Sequence, residues 1–183
     1  MELVSKLKFV LIFSVLCFGG MQMMNAQRLV GKTNLLYWCT GTINAGLEVR
    51  VSRHYTINVE GEINPLAFGE KSLKHYAIQP EIRYWMTGRP QAQWFYGILG
   101  TIGRKEINIT GTNKHVDTFG GGISAGYVFV LNQRLSLETS LALGAVYERG
   151  MKWKGNNHPG GPNVSGLKIC PLKAGVTLTY ILK

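Results

Sequence analysis

The feature that most limits how this chain folds is an alternation of period two. Between Arg134 and Arg149, Leu135, Leu137, Leu141, Leu143 and Tyr147 hold odd positions, while Ser136, Glu138, Ser140, Gly144 and Glu148 hold even ones. Successive side chains of a strand point to opposite faces, so this is a strand with one apolar and one polar face. The last segment repeats the pattern, with Leu172, Ala174, Val176, Leu178, Tyr180 and Leu182 against Lys173, Gly175, Thr177, Thr179 and Lys183. Ala45–Arg53, Tyr55–Asn64, Tyr76–Met86 and Phe119–Leu131 follow the same rule, and Gln93–Arg104 and Leu29–Cys39 follow it less cleanly. Eight segments of about ten residues are the number and length of the smallest transmembrane barrels. No apolar stretch of about 18 residues remains after residue 26 to supply a helical span. The expected fold is therefore all-β, an eight-stranded antiparallel up-and-down transmembrane β-barrel.

The first 26 residues do not belong to that pattern. Lys6 and Lys8 precede the apolar stretch Phe9–Phe18, and Asn25-Ala26-Gln27 offers a small residue for cleavage. This is the layout of a secretory signal peptide cut after Ala26, leaving residues 27–183 as one domain. Gly19-Gly20 interrupts the apolar run and leaves it short for a span, and Leu16 stands before Cys17 where a lipoprotein signal needs a small residue. The whole chain carries a formal charge of +10. Loss of Lys6, Lys8 and Glu2 leaves 18 basic against 9 acidic residues, or +9, on the exported part.

Connection lengths give the strands a direction. Arg53-His54, Thr87–Gln91 and Asn132-Gln133 are short, whereas Pro65–Lys74, Lys105–Val116 and Gly150–Gly166 are longer, with Thr40–Ile43 a short exception. Short turns beside the termini and long loops at the far end are the outer-membrane arrangement, with the long loops facing the exterior. Aromatic residues on the apolar parity sort into two levels. Tyr37, Tyr76, Phe119 and Tyr147 fall near the exterior end, and Tyr55, Tyr84, Trp94, Phe129 and Tyr180 near the periplasmic end.

The polar parity holds the charge: Lys32, Glu48, Arg50, Glu60, Glu62, Glu81, Arg83, Arg104, Glu138, Glu148 and Lys173. An eight-stranded barrel is only wide enough inside to be filled by side chains, so mixed-sign charges there are expected to pair across the lumen. The expected network is Lys32, Glu48, Arg50, Glu60, Glu62, Glu81, Arg83, Glu138 and Lys173. Gly46, Gly120, Gly122, Gly126, Gly144 and Gly175 share that parity and make room for it. A filled lumen leaves no open pore.

Three segments carry a resemblance: Lys32-Thr33-Asn34-Leu35-Leu36-Tyr37, Gln79-Pro80-Glu81-Ile82-Arg83-Tyr84-Trp85, and Gly121-Gly122-Ile123-Ser124-Ala125-Gly126-Tyr127. The chain resembles an uncharacterised Bacteroidetes-type family of small outer-membrane β-barrel proteins, a domain of unknown function with KTNLLY and QPExRYW signatures. The resemblance implies an outer-membrane location, genes that often lie near those for fimbriae or the cell surface, and no assigned catalytic residue. Family members often carry a cysteine pair in the last loop. This chain departs from that, with single cysteines at 39 and 170. Residues 173–180 also resemble the C-terminal signal read by the outer-membrane insertion machinery, with Leu178 in place of its first aromatic.

Few residues offer chemistry. Cys39 and Cys170 are expected at the exterior ends of the first and last strands, which closure makes neighbours, so they form a candidate disulfide if their Cα atoms fall within about 7 Å. His54, His75, His115 and His158 are scattered without ligand spacing, so no metal and no cofactor is expected. The one arrangement suited to a lipid-modifying enzyme is His75 with Glu148 or Glu70 at the exterior rim, too little to expect an enzyme. The last loop carries Arg149, Lys152, Trp153, Lys154 and Lys168 without an acid. At that height a basic loop meets lipopolysaccharide phosphates, whereas nucleic acid is out of reach.

Two functions remain open. One is a structural or cell-surface interaction protein in the outer membrane, partnered by its lipid and by lipopolysaccharide or a fimbrial or other surface protein. The other is a soluble lipocalin-like carrier of a small apolar ligand. A carrier needs the apolar parity inside, and a membrane protein needs it outside.

Overall fold

Alternation became pairing. The computed structural model describes residues 28–65, 67–68, 71–109, 112–154 and 160–182, so the leader expected over residues 1–26 and Glu70 lie outside the described residues. Its elements are β1 (Leu29–Asn34), helix α1 (Leu35–Cys39), β2 (Ile43–Arg50), β3 (Tyr55–Asn64), β4 (Ala67–Phe68), β5 (Lys71–Trp85), β6 (Gln93–Ile109), β7 (Thr112–Val130), β8 (Leu135–Lys154) and β9 (Val164–Ile181). β4 has two residues and pairs only with the start of β5. The other eight run up and down, each antiparallel to its neighbours in the sheet.

The sheet closes on itself, because β1 pairs with β9 and β3 pairs with β5. Register gives its stagger. Stepping across partners from Leu29 leads through Val49, Ile57, Ile82, Ile98, Ile123 and Leu143 to Pro171 on β9. Yet the backbone N–H that meets the Leu29 carbonyl across the seam belongs to Leu182, at 2.8 Å. The offset from 182 to 171 is eleven, and one of those residues is Leu172, the extra residue of a β-bulge. A stagger of ten over eight strands corresponds to a strand tilt of about 40°.

The two faces divide as the parity requires. Lys32, Glu48, Asn58, Glu81, Arg83, Glu138, Lys173 and Thr177 are buried inside. Ile43, Leu47, Ile57, Ile78, Ile82, Ile98, Ile123, Leu141 and Leu143 are exposed outside. Tyr76, Phe119 and Tyr147 stand on the outer face toward one end, and Tyr55, Tyr84, Trp94, Phe129 and Tyr180 toward the other. The second group includes contacting rings: Tyr55 with Tyr84 at 5.3 Å, and Tyr127 with Trp94 at 5.1 Å and Phe129 at 4.7 Å.

Four differences from the sequence reading matter below. First, β1 ends at Asn34, whose side-chain Oδ1 accepts from the Leu36 N–H at 3.1 Å and caps α1, so Tyr37 and Cys39 are helical. Second, the long connections expected at 105–116 and 150–166 are mostly strand, because β6 to β9 continue as a paired ladder beyond the apolar band. Third, the bulge at Leu172 reverses the facing of β9, since an extra residue shifts the pleat by one. Fourth, Arg104 lies on the outer face, the same parity as Trp94 and Ile102, and is not an interior residue.

Candidate functional site

The interior is a layer of paired charge. Lys32 on β1 places Nζ 2.8 Å from Glu48 Oε2 and 2.5 Å from Glu138 Oε2. Arg83 on β5 shares both acids, with Nη1 3.0 Å from Glu48 and 2.8 Å from Glu138, and turns Nη2 to Glu81 at 2.6 Å. Lys173 on β9 holds Glu60 at 2.6 Å. Charges taken out of water persist only when paired and hydrogen-bonded, and a planar guanidinium suits three carboxylates better than an ammonium does. Ser124 Oγ–H donates to the remaining Glu81 oxygen at 2.5 Å. All three sequence motifs thus meet here, through Lys32, through Glu81 and Arg83, and through Ser124.

Aromatic packing closes the layer toward the termini. Arg83 Cζ lies 4.3 Å from the centre of the Phe95 ring, Phe95 packs on Trp85 at 5.1 Å, and Trp85 Nε1–H donates to Thr56 Oγ1 at 3.0 Å. Gln91, from the turn between β5 and β6, folds in beneath and reaches Glu48 Oε1 at 3.4 Å. Glycines leave the space this needs: a Cβ on Gly46 stands 2.6 Å from Glu60 Cγ, and one on Gly126 stands 2.5 Å from the Phe95 ring. The layer holds Lys32, Arg83 and Lys173 against Glu48, Glu60, Glu81 and Glu138, so its cations are fully engaged. The surplus positive charge of the chain lies elsewhere.

Two members of the expected network are not in it. Arg50 ends β2, and its Nε–H donates to the Ser52 carbonyl at 3.2 Å instead of reaching the acids. Glu62 sits higher, at the mouth of the closed sheet opposite the termini, where Oε1 is 3.2 Å from His75 Nε2 and the carboxylate accepts from the Tyr37 hydroxyl of α1. Burial, together with the Glu62 and Glu60 charges, holds the Tyr37 phenol well above its ordinary value. This mouth is a cup of about 510 Å³ bounded by Tyr37, Glu62, His75, Lys105, Cys170 and Leu172. Of the two acids expected for His75, Glu70 lies outside the described residues and Glu148 is engaged by Lys114 at 3.0 Å and Lys168 at 2.8 Å.

Cys39 and Cys170 are free thiols. Cys39 is exposed at the end of α1, and Cys170 lies on the mouth side of β9, below its free thiol's expected outward position because the bulge has turned it inward. The seam expected to join them is not two paired strands at that height, since β1 meets β9 only from Val30 to Asn34. Asn34 Nδ2–H takes up the Ala174 carbonyl of β9 at 3.2 Å, and Gln79 Nε2–H takes up that of Leu172 at 3.3 Å.

The residues expected as a basic loop stand on strands: Arg149, Lys152, Trp153 and Lys154 on β8 and Lys168 on β9. The sheet divides them. Arg149 and Trp153 share the outer parity, and Trp153 packs edge-on against His115 at 4.9 Å. Lys152, Lys154 and Lys168 share the parity of Glu148, the mouth side.

A family model described as "Protein of unknown function (DUF3575)" matches residues 10–182. The chain belongs to this family. No curated protein and no solved structure matches the chain. Membership in DUF3575 accords with the expected uncharacterised domain family, and it assigns no activity. What the motifs missed is Trp85 and Phe95 as the interior plug and Gln91 as its base. Trp85 shares the parity of Glu81 and Arg83, a signal that could have found it, whereas no sequence signal marks Gln91.

Proposed function

We propose that this DUF3575 chain is exported by its leader and inserted as a small eight-stranded β-barrel in the outer membrane, as a structural or surface-interaction protein. One observation carries the reading. The closed sheet buries its charges and exposes its Ile, Leu and aromatic side chains, the reverse of a water-soluble protein. An outer surface of this kind is stable only against lipid, and the sorting of aromatics to two ends suits the two interfaces of a bilayer. The alternative, a soluble lipocalin-like carrier, needs an apolar interior; here that space is filled by Lys32, Arg83, Glu48, Glu81 and Glu138. The same filling argues for an anchor and against a pore.

Partners meet the exterior end. Lys105, Lys114, Lys152, Lys154 and Lys168 on the extended strands suit lipopolysaccharide or an acidic face of a fimbrial or other surface protein. Detergent fractionation of cells, with gel mobility before and after boiling, tests the reading. Recovery in the outer-membrane fraction with heat-modifiable mobility is expected, and recovery as a soluble periplasmic protein overturns it.

A further inference from the structure

The outer face of the sheet changes character over one step. Ile78, Ile102, Phe119, Tyr147 and Leu167 are register partners across β5 to β9, all outward and exposed. Two residues farther toward the exterior on the same strands, the partners are Tyr76, Arg104, Asp117, Arg149 and Ser165. An apolar row thus lies directly beneath a row with two guanidinium groups. Asp117 Oδ1 accepts from Arg104 Nε at 2.6 Å. That bond engages Nε and leaves the terminal nitrogens of Arg104 without a hydrogen bond among the described residues. Among the described residues, the Arg149 side chain has no hydrogen bond or ion pair.

Two grooves meet at this row and share Arg104, Asp117 and Arg149. The lower, of about 440 Å³, runs along Tyr76, Ile78, Ile102, Phe119 and Tyr147. The upper, of about 370 Å³, is bounded by His115, Gly150, Met151 and Pro162. An occupant of both must be amphiphilic, with an anionic group at the junction, an apolar chain below and a polar group above. Guanidinium forks match phosphate oxygens in shape and charge.

We propose that Arg104 and Arg149 form a binding site for a phosphorylated acyl lipid of the outer leaflet, its phosphate between the two guanidinium groups and an acyl chain along Ile102, Phe119 and Tyr147. The site rests on the outer-membrane reading and deepens it, adding a lipid contact on the outer face to that of the mouth-side lysines. Asp117 is a positioning residue, and it also repels anions that lack the second contact with Arg149.

The test uses the full exported chain folded in zwitterionic detergent, with native mass spectrometry of added diphosphorylated lipid A. Retention of lipid A over its dephosphorylated form is expected. The double variant Arg104→Gln/Arg149→Gln is expected to weaken it by about tenfold or more, and Arg53→Gln/Arg134→Gln, in the exposed turns at the opposite end of the sheet, to leave it unchanged. Equal retention of the dephosphorylated lipid, or wild-type binding by a double variant that keeps heat-modifiable mobility, overturns the site while leaving the barrel standing. Displacement of lipid A by millimolar inorganic phosphate reduces it to an anion site without lipid recognition and likewise overturns it. A chain that is soluble without detergent removes the membrane reading and the site together.

Discussion

Arg83 on β5 and Glu138 on β8 meet at 2.8 Å across the interior of the sheet, and neither side chain is reached by solvent. The two strands are separated on one side by β6 and β7 and on the other by β3, β2, β1 and β9. The pair therefore ties together walls that no backbone ladder joins directly. Because Arg83 also holds Glu48 and Glu81, removing it leaves three buried carboxylates short of a partner.

Replacing Arg83 with Met should destabilise the fold by about 3–5 kcal/mol, the range seen when one member of a buried ion network is deleted. Urea unfolding of the protein refolded into lipid vesicles measures it. Arg83→Lys should fall between wild type and Arg83→Met, because an ammonium keeps the charge but not the fork. An Arg83→Met variant as stable as wild type shows that the network contributes nothing to holding the walls.

Glycines of the sheet should tolerate substitution according to what a side chain meets. At Gly126 a Cβ stands 2.5 Å from the Phe95 ring and 2.6 Å from the Thr139 carbonyl, whereas at Gly61 nothing lies within 4 Å. Gly126→Val is therefore expected to cost about 1–3 kcal/mol by overpacking, and Gly61→Ala to be close to neutral. The same vesicle unfolding assay compares them, and equal stability of the two variants contradicts the packing described.

How much of this was legible depended on water. Where the outward face is apolar and the inward face polar, hydrophobicity alternates, so β8 was readable from Leu135 to Tyr147 and the inward set Lys32, Glu81, Arg83 and Glu138 came with it. Beyond Tyr147 and Phe119 both faces are polar, the alternation fades, and a continuing ladder reads as a loop; Lys105 to Val116 was lost in this way. The helix α1 has five residues, too few to show a period, and only Asn34 as its cap gives it away. The bulge at Leu172 leaves no mark in composition, yet it turned Cys170 from the outer face to the mouth.

Both thiols should therefore react. Alkylation of the unreduced, folded protein is expected to add two labels, quickly at exposed Cys39 and more slowly at half-buried Cys170. Intact mass over time reads both steps. A product without label until a reductant is added shows a disulfide and a different arrangement of the seam.

Tyr37 gives the exterior mouth its own pH signature. Its hydroxyl donates to Glu62, and burial with the nearby Glu62 and Glu60 charges raises its ionisation well above the ordinary tyrosine value of about 10. A raised value in the folded state means that this contact contributes fully below the unfolded value and is lost as pH climbs toward the folded one. Ultraviolet titration of wild type minus Tyr37→Phe isolates the one phenol, and its midpoint should lie above the ordinary tyrosine value of about 10. A difference midpoint near 10 places Tyr37 in water and detaches α1 from the mouth. The Tyr37→Phe variant should also expose Cys170 to faster alkylation, because Tyr37 and Cys170 bound the same cup.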